Sequence, residues 1–419
     1  MKILGIESSC DETAASVVED GSRLLSNVVR SQIDIHSHYG GVVPEVAARN
    51  HIEVINPVIN TALADADCTW DDIDAIAVTY APGLIGSLLV GTLAARTLAR
   101  LKHKPLYPIH HVEAHVYANF ITSQKTTDRL ETDLTHTGDQ VSSTKLSLPD
   151  KQPEFPMLAL IVSGGHTQLV LFQGHGDYRL LGETQDDAVG EAFDKVAKIL
   201  GLPYPGGPSI TAAAQLGDCN KYRLPKANFK CTHSGAHTGM ERQATGSDGL
   251  SRTDSYDEAV TDPVTPRSAQ EVCHYYDFSF SGLKTAVLRA VQHEVGVDFT
   301  FPSTGLAERL NDQQRQDFAA SFQKTAIDTL VDKAQKAYQN YSPKSVVIAG
   351  GVAANQMLRD QLTSRVSSSI EYAPMQLCTD NGAMIATLAY YYSQVQPPVD
   401  PAELEVTPSL SMTKTAWAK

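Results

Sequence analysis

One local pattern recurs four times along the chain: an apolar strand that stops at a polar or glycine turn. KILGIE (2–7) runs into SSCDET and is followed by AASVV (14–18), while IDAIAVTYAPG (73–83) ends at a Pro-Gly turn before the helical SLLVGTLAARTLARL (87–101). In the second half PMLALIVSGGHTQLVLF (156–172) reads strand, glycine turn, strand, and SVVIAGGVAANQMLRDQL (345–362) reads strand, glycine turn, helix. Short apolar runs bounded by Gly and Pro are the mark of buried strands. Two such pairs, one in each half of 419 residues, predict a two-lobed, duplicated α/β fold with the turns aimed into a shared cleft. A nucleotide held between the lobes is the simplest use of that arrangement.

Between these units the helical periods are clear. Residues 44–63 predict a helix with Val46, Ile52, Ile55 and Ile59 on its apolar face, and 23–28 predicts a third strand. Residues 186–202 predict a helix stopping near Gly201, and 379–392 another with Thr379 and Asp380 as caps. The first lobe is expected over 1–118, joined by part of the C-terminal helix, the second over 119–396, and a tail over 397–419. Two polar stretches break the rhythm, 121–154 and roughly 226–272. Both are too poor in large apolar groups to offset their ordering entropy alone, so they read as surface insertions.

Hydrophobic residues make up 42% of the chain and charged ones 20%, as expected of a globular protein without membrane spans. The start has no signal-peptide core, so a cytoplasmic location is expected. Six cysteines with no CxxC pair point to reduced thiols, not a zinc cluster or disulfide framework. A net charge of −14 excludes coating of nucleic acid by the chain alone. It leaves room for a local basic patch, with Arg96, Arg100, Lys102 and Lys104 one candidate and Lys195 with Lys198 another.

SGGH (163–166) and AGGVAAN (349–355) let backbone amides approach an anion, with YPGGPS (204–209) a third such turn. Asn355 is placed to bond a base or ribose and to start the following helix. Neither GxxxxGK[ST] nor GxGxxG occurs, which excludes an ordinary P-loop ATPase or Rossmann dehydrogenase. Asp11 and Glu12 sit in the first turn, suited to a cation, a water or a substrate, or simply solvated. Asp194 lies on a helix where it either faces solvent or accepts from a ligand. His111 and His115 are four apart and share a helix face. A zinc peptidase of the HExxH type needs Glu directly after the first His; here that place is Val112, and Glu113 points elsewhere. A metal on the pair needs a third donor, and by topology Asp380 is the best carboxylate for Fe(II) or Zn(II). Capping or core histidines are the other reading.

Several blocks together are recognisable. ILGIESSCDETAASVV (3–18), GGVVPEVAARNHIE (40–53), APGLIGSLLVG (81–91), HHVEAHVYA (110–118) and LIVSGGHTQLV (160–170) are five of them. DDAVGEAFDKVAKILGLPYPGGP (186–208), DFSFSGLKTAV (277–287), VVIAGGVAANQMLR (346–359) and TDNGAMIA (379–386) complete the set. They resemble the tRNA threonylcarbamoyladenosine transferase family in its bacterial form, a family once described as O-sialoglycoprotein endopeptidases. The resemblance implies the two-lobed fold of actin, sugar kinases and heat-shock chaperone ATPases. It implies transfer of the L-threonylcarbamoyl group from threonylcarbamoyl-adenylate to N6 of adenosine 37 in tRNAs reading codons that begin with A, with release of AMP. A non-catalytic adenine-nucleotide-binding scaffold is the alternative. The partners implied are tRNA, a smaller related subunit and a small ATPase, with no membrane.

By position, the family's metal ligands fall on His111, His115 and Asp380, for one divalent metal per subunit, Fe(II) ahead of Zn(II). Its substrate turn falls on Val162, Ser163, Gly164, Gly165 and His166, and further substrate contacts on Asp194, Gly207 and Asn355. Asp11 and Glu12 match its acidic pair near the reaction centre. Archaeal and eukaryotic relatives place Tyr before the turn; Ile161 stands here, so no phenolate ligand is offered.

Overall fold

Lys2–Glu7 (β1) is buried throughout after its first residue, as a strand covered on both faces must be. The computed structural model describes residues 1–123, 148–227, 274–368 and 370–414, with the backbone of 135–137 and 140–142. Glu12–Glu19 (β2) pairs antiparallel with β1 and Arg23–Ser31 (β3) antiparallel with β2. After Ile33–Ser37 (α1) and Pro44–Asp65 (α2), Ala75–Ala81 (β4) adds parallel to β1. Ile85–Lys102 (α3) then leads to Leu106–His110 (β5), parallel to β4, giving the order β3-β2-β1-β4-β5.

His111–Tyr117 (α4) leaves the first sheet directly, with all of its residues buried. Within the first polar stretch, Thr135–Thr137 (β6) and Gln140–Ser142 (β7) form an antiparallel pair. The second sheet repeats the first. Met157–Val162 (β8), Thr167–Gly174 (β9) and Asp177–Glu183 (β10) pair antiparallel in succession. Val189–Leu200 (α5), Gly206–Ala214 (α6), Ser281–Glu294 (α7) and Asp312–Tyr341 (α8) follow. Ser345–Ala349 (β11) joins β8 in parallel, and after Gln356–Arg365 (α9) comes Ile370–Tyr372 (β12), parallel to β11. The order β10-β9-β8-β11-β12 matches that of the first sheet strand for strand. The duplication read from the sequence is therefore a duplication of topology.

Met375–Cys378 (α10) and Gly382–Ser393 (α11) end the regular part of the chain. α11 comes back onto the first sheet, and its start fits only because two glycines meet there. A Cβ on Gly5 would lie 2.2 Å from the Gly382 carbonyl oxygen, and one on Gly382 would lie 2.7 Å from that of Gly5. Beyond α11 the chain runs as a strap over the first sheet. Val399 N donates to Leu106 O at 3.0 Å, Thr407 N to Tyr80 O at 3.0 Å, and Gly83 N to Pro408 O at 3.1 Å.

Several expectations need correction. On α2, Ile55 and Ile59 are buried as expected, but Ile52 is 64% exposed, and His51, Val58 and Ala62 complete the buried face. The last helix is capped by Asn381, whose side chain accepts from Met384 N, not by Thr379 or Asp380. That frees Asp380 from a capping role. Most of the two polar insertions, 124–134, 143–147 and 228–273, lies outside the described residues. Cys10, Cys68, Cys219 and Cys378 are free, while Cys231 and Cys273 are among the undescribed ones. Among the described residues no helix is long and apolar enough to cross a membrane.

Candidate active site and metal centre

The loops that follow equivalent strands in the two sheets face each other. A cleft of about 790 Å³ is lined by the β1–β2 turn (Ser9 to Glu12) and by Pro82 to Leu84 after β4. From the other sheet come Ser163 to His166 after β8 and the Gly351–Asn355 segment after β11. This is where an open α/β sheet binds its ligands, outside the carboxyl ends of its parallel strands. Asp194, Gly207, His111 and Asp380 complete the wall. Of the expected site residues only Val162 and His115 are not on it, since Val162 is buried in β8 and His115 lies behind His111.

The glycines of this wall are informative. Cβ atoms on Gly164, Gly165, Gly207 and Gly351 would meet nothing within 4 Å, and none of the four has a φ in the left-handed region. Neither packing nor backbone conformation asks for glycine there. What side chains would take up is cleft volume, so these positions keep backbone exposed to whatever the cleft holds. The SGGH turn closes on itself, Ser163 N donating to His166 O at 2.9 Å and His166 N to Ser163 Oγ at 3.2 Å.

At the base of the cleft the two histidines of α4 meet the carboxylate before α11. Asp380 Oδ1 lies 3.6 Å from His111 Nε2 and 3.4 Å from His115 Nε2. One ligand atom from each of the three falls within 4.8 Å of the others. Both ring nitrogens of buried His115 lack a hydrogen-bond partner among the described residues. An imidazole buried and unsatisfied at both nitrogens is costly unless something else occupies one of them. His111 is oriented from behind: its Nδ1 meets Glu7 Oε2 at 3.2 Å and Ser9 Oγ at 3.2 Å, turning Nε2 toward Asp380. A carboxylate holding the far nitrogen of a ligand histidine is the usual support of a metal site. The triad fits a single metal ion.

Glu7 is fully buried at the end of β1 and also accepts from Ser9 N at 2.5 Å and from the Thr79 hydroxyl. Burial opposes its ionisation, but His111 and these donors hold the carboxyl down at about 2. Burial likewise opposes charge on His111, yet Asp380 and Glu7 raise it to about 9. Burial pushes Asp380 up to about 6, with Glu7 and Asp11 adding to the effect and His111 opposing it. Burial first and His111 second keep His115 well below the ordinary range, while burial takes His166 to about 3. Glu12 is held well above the usual carboxyl range by burial and by the carboxylates of Asp11 and Asp380. Burial also raises Asp194, which accepts from Gly206 N at 2.7 Å and so pins the PGG turn.

The structure adjusts the other readings. Asn355 lines the cleft, but its Oδ1 caps α9 by accepting from Leu358 N at 3.1 Å. Its Nδ2 donates to Gln323 Oε1 at 3.0 Å and Thr211 Oγ1 at 3.2 Å, so its amide is already committed. Gln323 and Thr211 were not visible in the sequence, because only packing brings α8 and α6 to α9. Tyr204 also lines the cleft, inside a turn chosen for its glycines alone. Glu113 is buried away from the cleft, 3.4 Å from Tyr178 Oη, so it is not the base that a zinc peptidase of the HExxH type sets beside its metal. Lys195 is ion-paired to Asp187 at 2.9 Å and Glu191 at 2.6 Å. Arg96 donates to the carbonyls of Pro401 and Ala402. Arg100 and Lys102 are exposed at the end of α3 away from the cleft, about 25 Å along the helix from Leu84.

Two sheets of the same strand order closing on a shared cleft are the arrangement of the actin, sugar-kinase and heat-shock ATPase class of two-lobed α/β proteins. Within that class, the family model described as tRNA N6-adenosine threonylcarbamoyltransferase matches residues 23–129, 139–262 and 252–387. A protein of that name from Dehalococcoides mccartyi is 45% identical over 413 residues, covering 99% of this chain and 100% of its own. One from Thermomicrobium roseum is 43% identical, covering 94% of this chain and 92% of its own. The chain belongs to the tRNA N6-adenosine threonylcarbamoyltransferase family. Among solved structures, the activator of 2-hydroxyisocaproyl-CoA dehydratase from Clostridium difficile is 11% identical, with a TM-score of 0.43 over 94% of this chain and 96% of its own. That likeness is too remote to bear on function.

Proposed function

We propose that this chain transfers the L-threonylcarbamoyl group from threonylcarbamoyl-adenylate to N6 of adenosine 37 in tRNAs that read codons beginning with A, releasing AMP. The observation that carries the reading is one cleft holding the metal triad, the open glycine wall and the Asp11–Glu12 turn, in a chain of this family. N6 of adenosine is a poor nucleophile because its lone pair is delocalised into the ring. The site must therefore hold amine and mixed anhydride together and stabilise the departing phosphate.

His111, His115 and Asp380 would hold the metal, with Fe(II) ahead of Zn(II) for two imidazoles and one carboxylate. Bound there, it would supply a Lewis acid to the carbonyl side of the anhydride. Glu7 keeps His111 turned to that task. The Ser163–His166 turn, Gly207 and Gly351 present backbone to the adenylate, while Val162 anchors that turn from within β8 and Asp194 fixes the second glycine turn. Asp11 and Glu12 stand on the opposite wall, where a carboxyl can orient the incoming amine or take its proton. Among the described residues of this wall, Ser9 is the one Ser or Cys with an imidazole beside it. That ring is committed to Glu7 through Nδ1 and turned to Asp380 through Nε2, so it is no base for the hydroxyl and direct transfer follows.

A smaller related subunit and a small ATPase are the partners we assign, and one surface supports a docking subunit. Ile85, Leu89 and Leu93, four residues apart on α3, are 61%, 41% and 53% exposed. They form an apolar stripe on the helix that packs beside α2, where Ile52 is also exposed. A stripe of this kind on a free helix pair marks a protein contact. The test is incubation of the chain and its partners with threonylcarbamoyl-adenylate and unmodified tRNA, followed by nucleoside analysis. Modified adenosine and AMP in equal amounts are expected. Binding of both substrates with no modified nucleoside would instead support the scaffold reading.

A further inference from the structure

The acidic turn between β1 and β2 is held by three consecutive carbonyls, and the middle one differs from its neighbours. Ser9 O accepts from Leu84 N at 2.8 Å and Asp11 O from Gln32 N at 3.0 Å, both main-chain donors that any residue but proline would supply. Cys10 O is held by side chains alone: His51 Nε2 at 3.0 Å and Ser87 Oγ at 3.1 Å. A carbonyl only accepts, so His51 Nε2 carries the hydrogen. Its Nδ1 then accepts from Thr13 Oγ1 at 2.7 Å, on the other side of the acidic pair. His51 comes from α2, is fully buried, and does not line the cleft. Burial lowers its pKa, which matches the neutral tautomer these two bonds require.

The peptide group is planar, so fixing the Cys10 carbonyl fixes the plane in which Asp11 N lies. The directions in which Asp11 and Glu12 leave the backbone follow from that plane. We propose that His51 is a positioning residue for the reaction: its Nε2–H clamp on Cys10 O, seconded by Thr13, sets the Asp11–Glu12 turn against the cleft. The proposal rests on the reading that this acidic pair takes part in the transfer.

Three replacements separate the clamp from simple packing. His51→Gln places an amide donor near the position of Nε2, His51→Asn places its amide near Nδ1 and cannot reach Cys10 O, and His51→Leu keeps bulk without polarity. The readouts are single-turnover transfer with prebound adenylate, adenylate affinity, metal content and melting temperature, all in the full complex. His51→Gln is expected within a few-fold of wild type, with His51→Asn and His51→Leu slowed about 100-fold, as a misplaced catalytic group is. Adenylate affinity and metal content stay unchanged in all three. In an Asp11→Asn, Glu12→Gln background His51→Asn should add no further loss, since there is nothing left to position. Equal rates for the Gln and Asn variants, or a full additional loss in that background, overturn the proposal. If His51→Asn does not fold, Ser87→Ala, which removes the other donor to Cys10 O, carries the same cycle with the same two outcomes. If Asp11→Asn and Glu12→Gln transfer at the wild-type rate, the acidic pair's role fails first, and the clamp falls with it as a separately recognisable result.

Discussion

Replacing Gly5 by alanine should empty the metal site although Gly5 touches none of its ligands. A Cβ at that position would lie 2.2 Å from Gly382 O and 2.6 Å from Ala386 N. Carbon and oxygen rest about 3.3–3.6 Å apart, so relief requires α11 to move by roughly 1 Å. Both clashing atoms are backbone, and no rotamer can absorb the strain. Asp380 sits two residues before α11, with its Oδ1 3.4 Å and 3.6 Å from the two Nε2 atoms. Metal-ligand distances tolerate only about 0.2 Å, several times less than the required shift. Overpacking of this kind costs about 1–3 kcal/mol, a drop of several degrees in Tm. The assay is elemental analysis beside thermal unfolding, with Gly282→Ala as control because its Cβ would meet open space. Full metal content in Gly5→Ala with an unchanged melting temperature would refute the reasoning, since the helix would then have no need of the glycine contact.

Glu7→Gln keeps the shape of the carboxylate but loses the charge that accepts from His111, and chelator competition should show metal bound about 10- to 100-fold more weakly. His110 donates from Nε2 to Leu410 O and accepts at Nδ1 from Glu113 N, and burial lowers it from 6.5 to about 4. The unfolded chain therefore takes the proton first: the contribution of His110 is complete above pH 6.5 and is lost as pH falls toward 4, by up to about 3 kcal/mol. Urea midpoints at pH 7.5 and pH 5 should accordingly differ less in His110→Gln than in wild type; an equal drop in both would assign the acid sensitivity elsewhere. Leu89→Asp on the exposed stripe of α3 should leave stability within about 0.5 kcal/mol while abolishing co-elution with the companion subunit on size exclusion.

Local pattern determined a large part of this protein. The apolar runs ending in turns became the strands of two sheets with one shared order, and the four-residue spacing of His111 and His115 became one face of α4. The family blocks marked Asp380 as third ligand, and it came to the pair across more than 260 residues of chain. These features are written in short-range periodicity and in the residue types that turns and metals require. Tertiary structure alone decided which polar groups meet and which apolar groups stay uncovered. Glu7 reads as the last residue of a strand; it becomes the support of His111 only because β1 and α4, 104 residues apart, converge at the cleft base. Ile52 obeys the helical period of α2, yet the period says nothing about which neighbour covers a face, and none of the described residues covers that one. Asn355 looked free for a ligand until α6 and α8 arrived with Thr211 and Gln323 to take its amide. Hydrogen bonds and burial are properties of pairs brought together by packing, so a single stretch of sequence cannot state them.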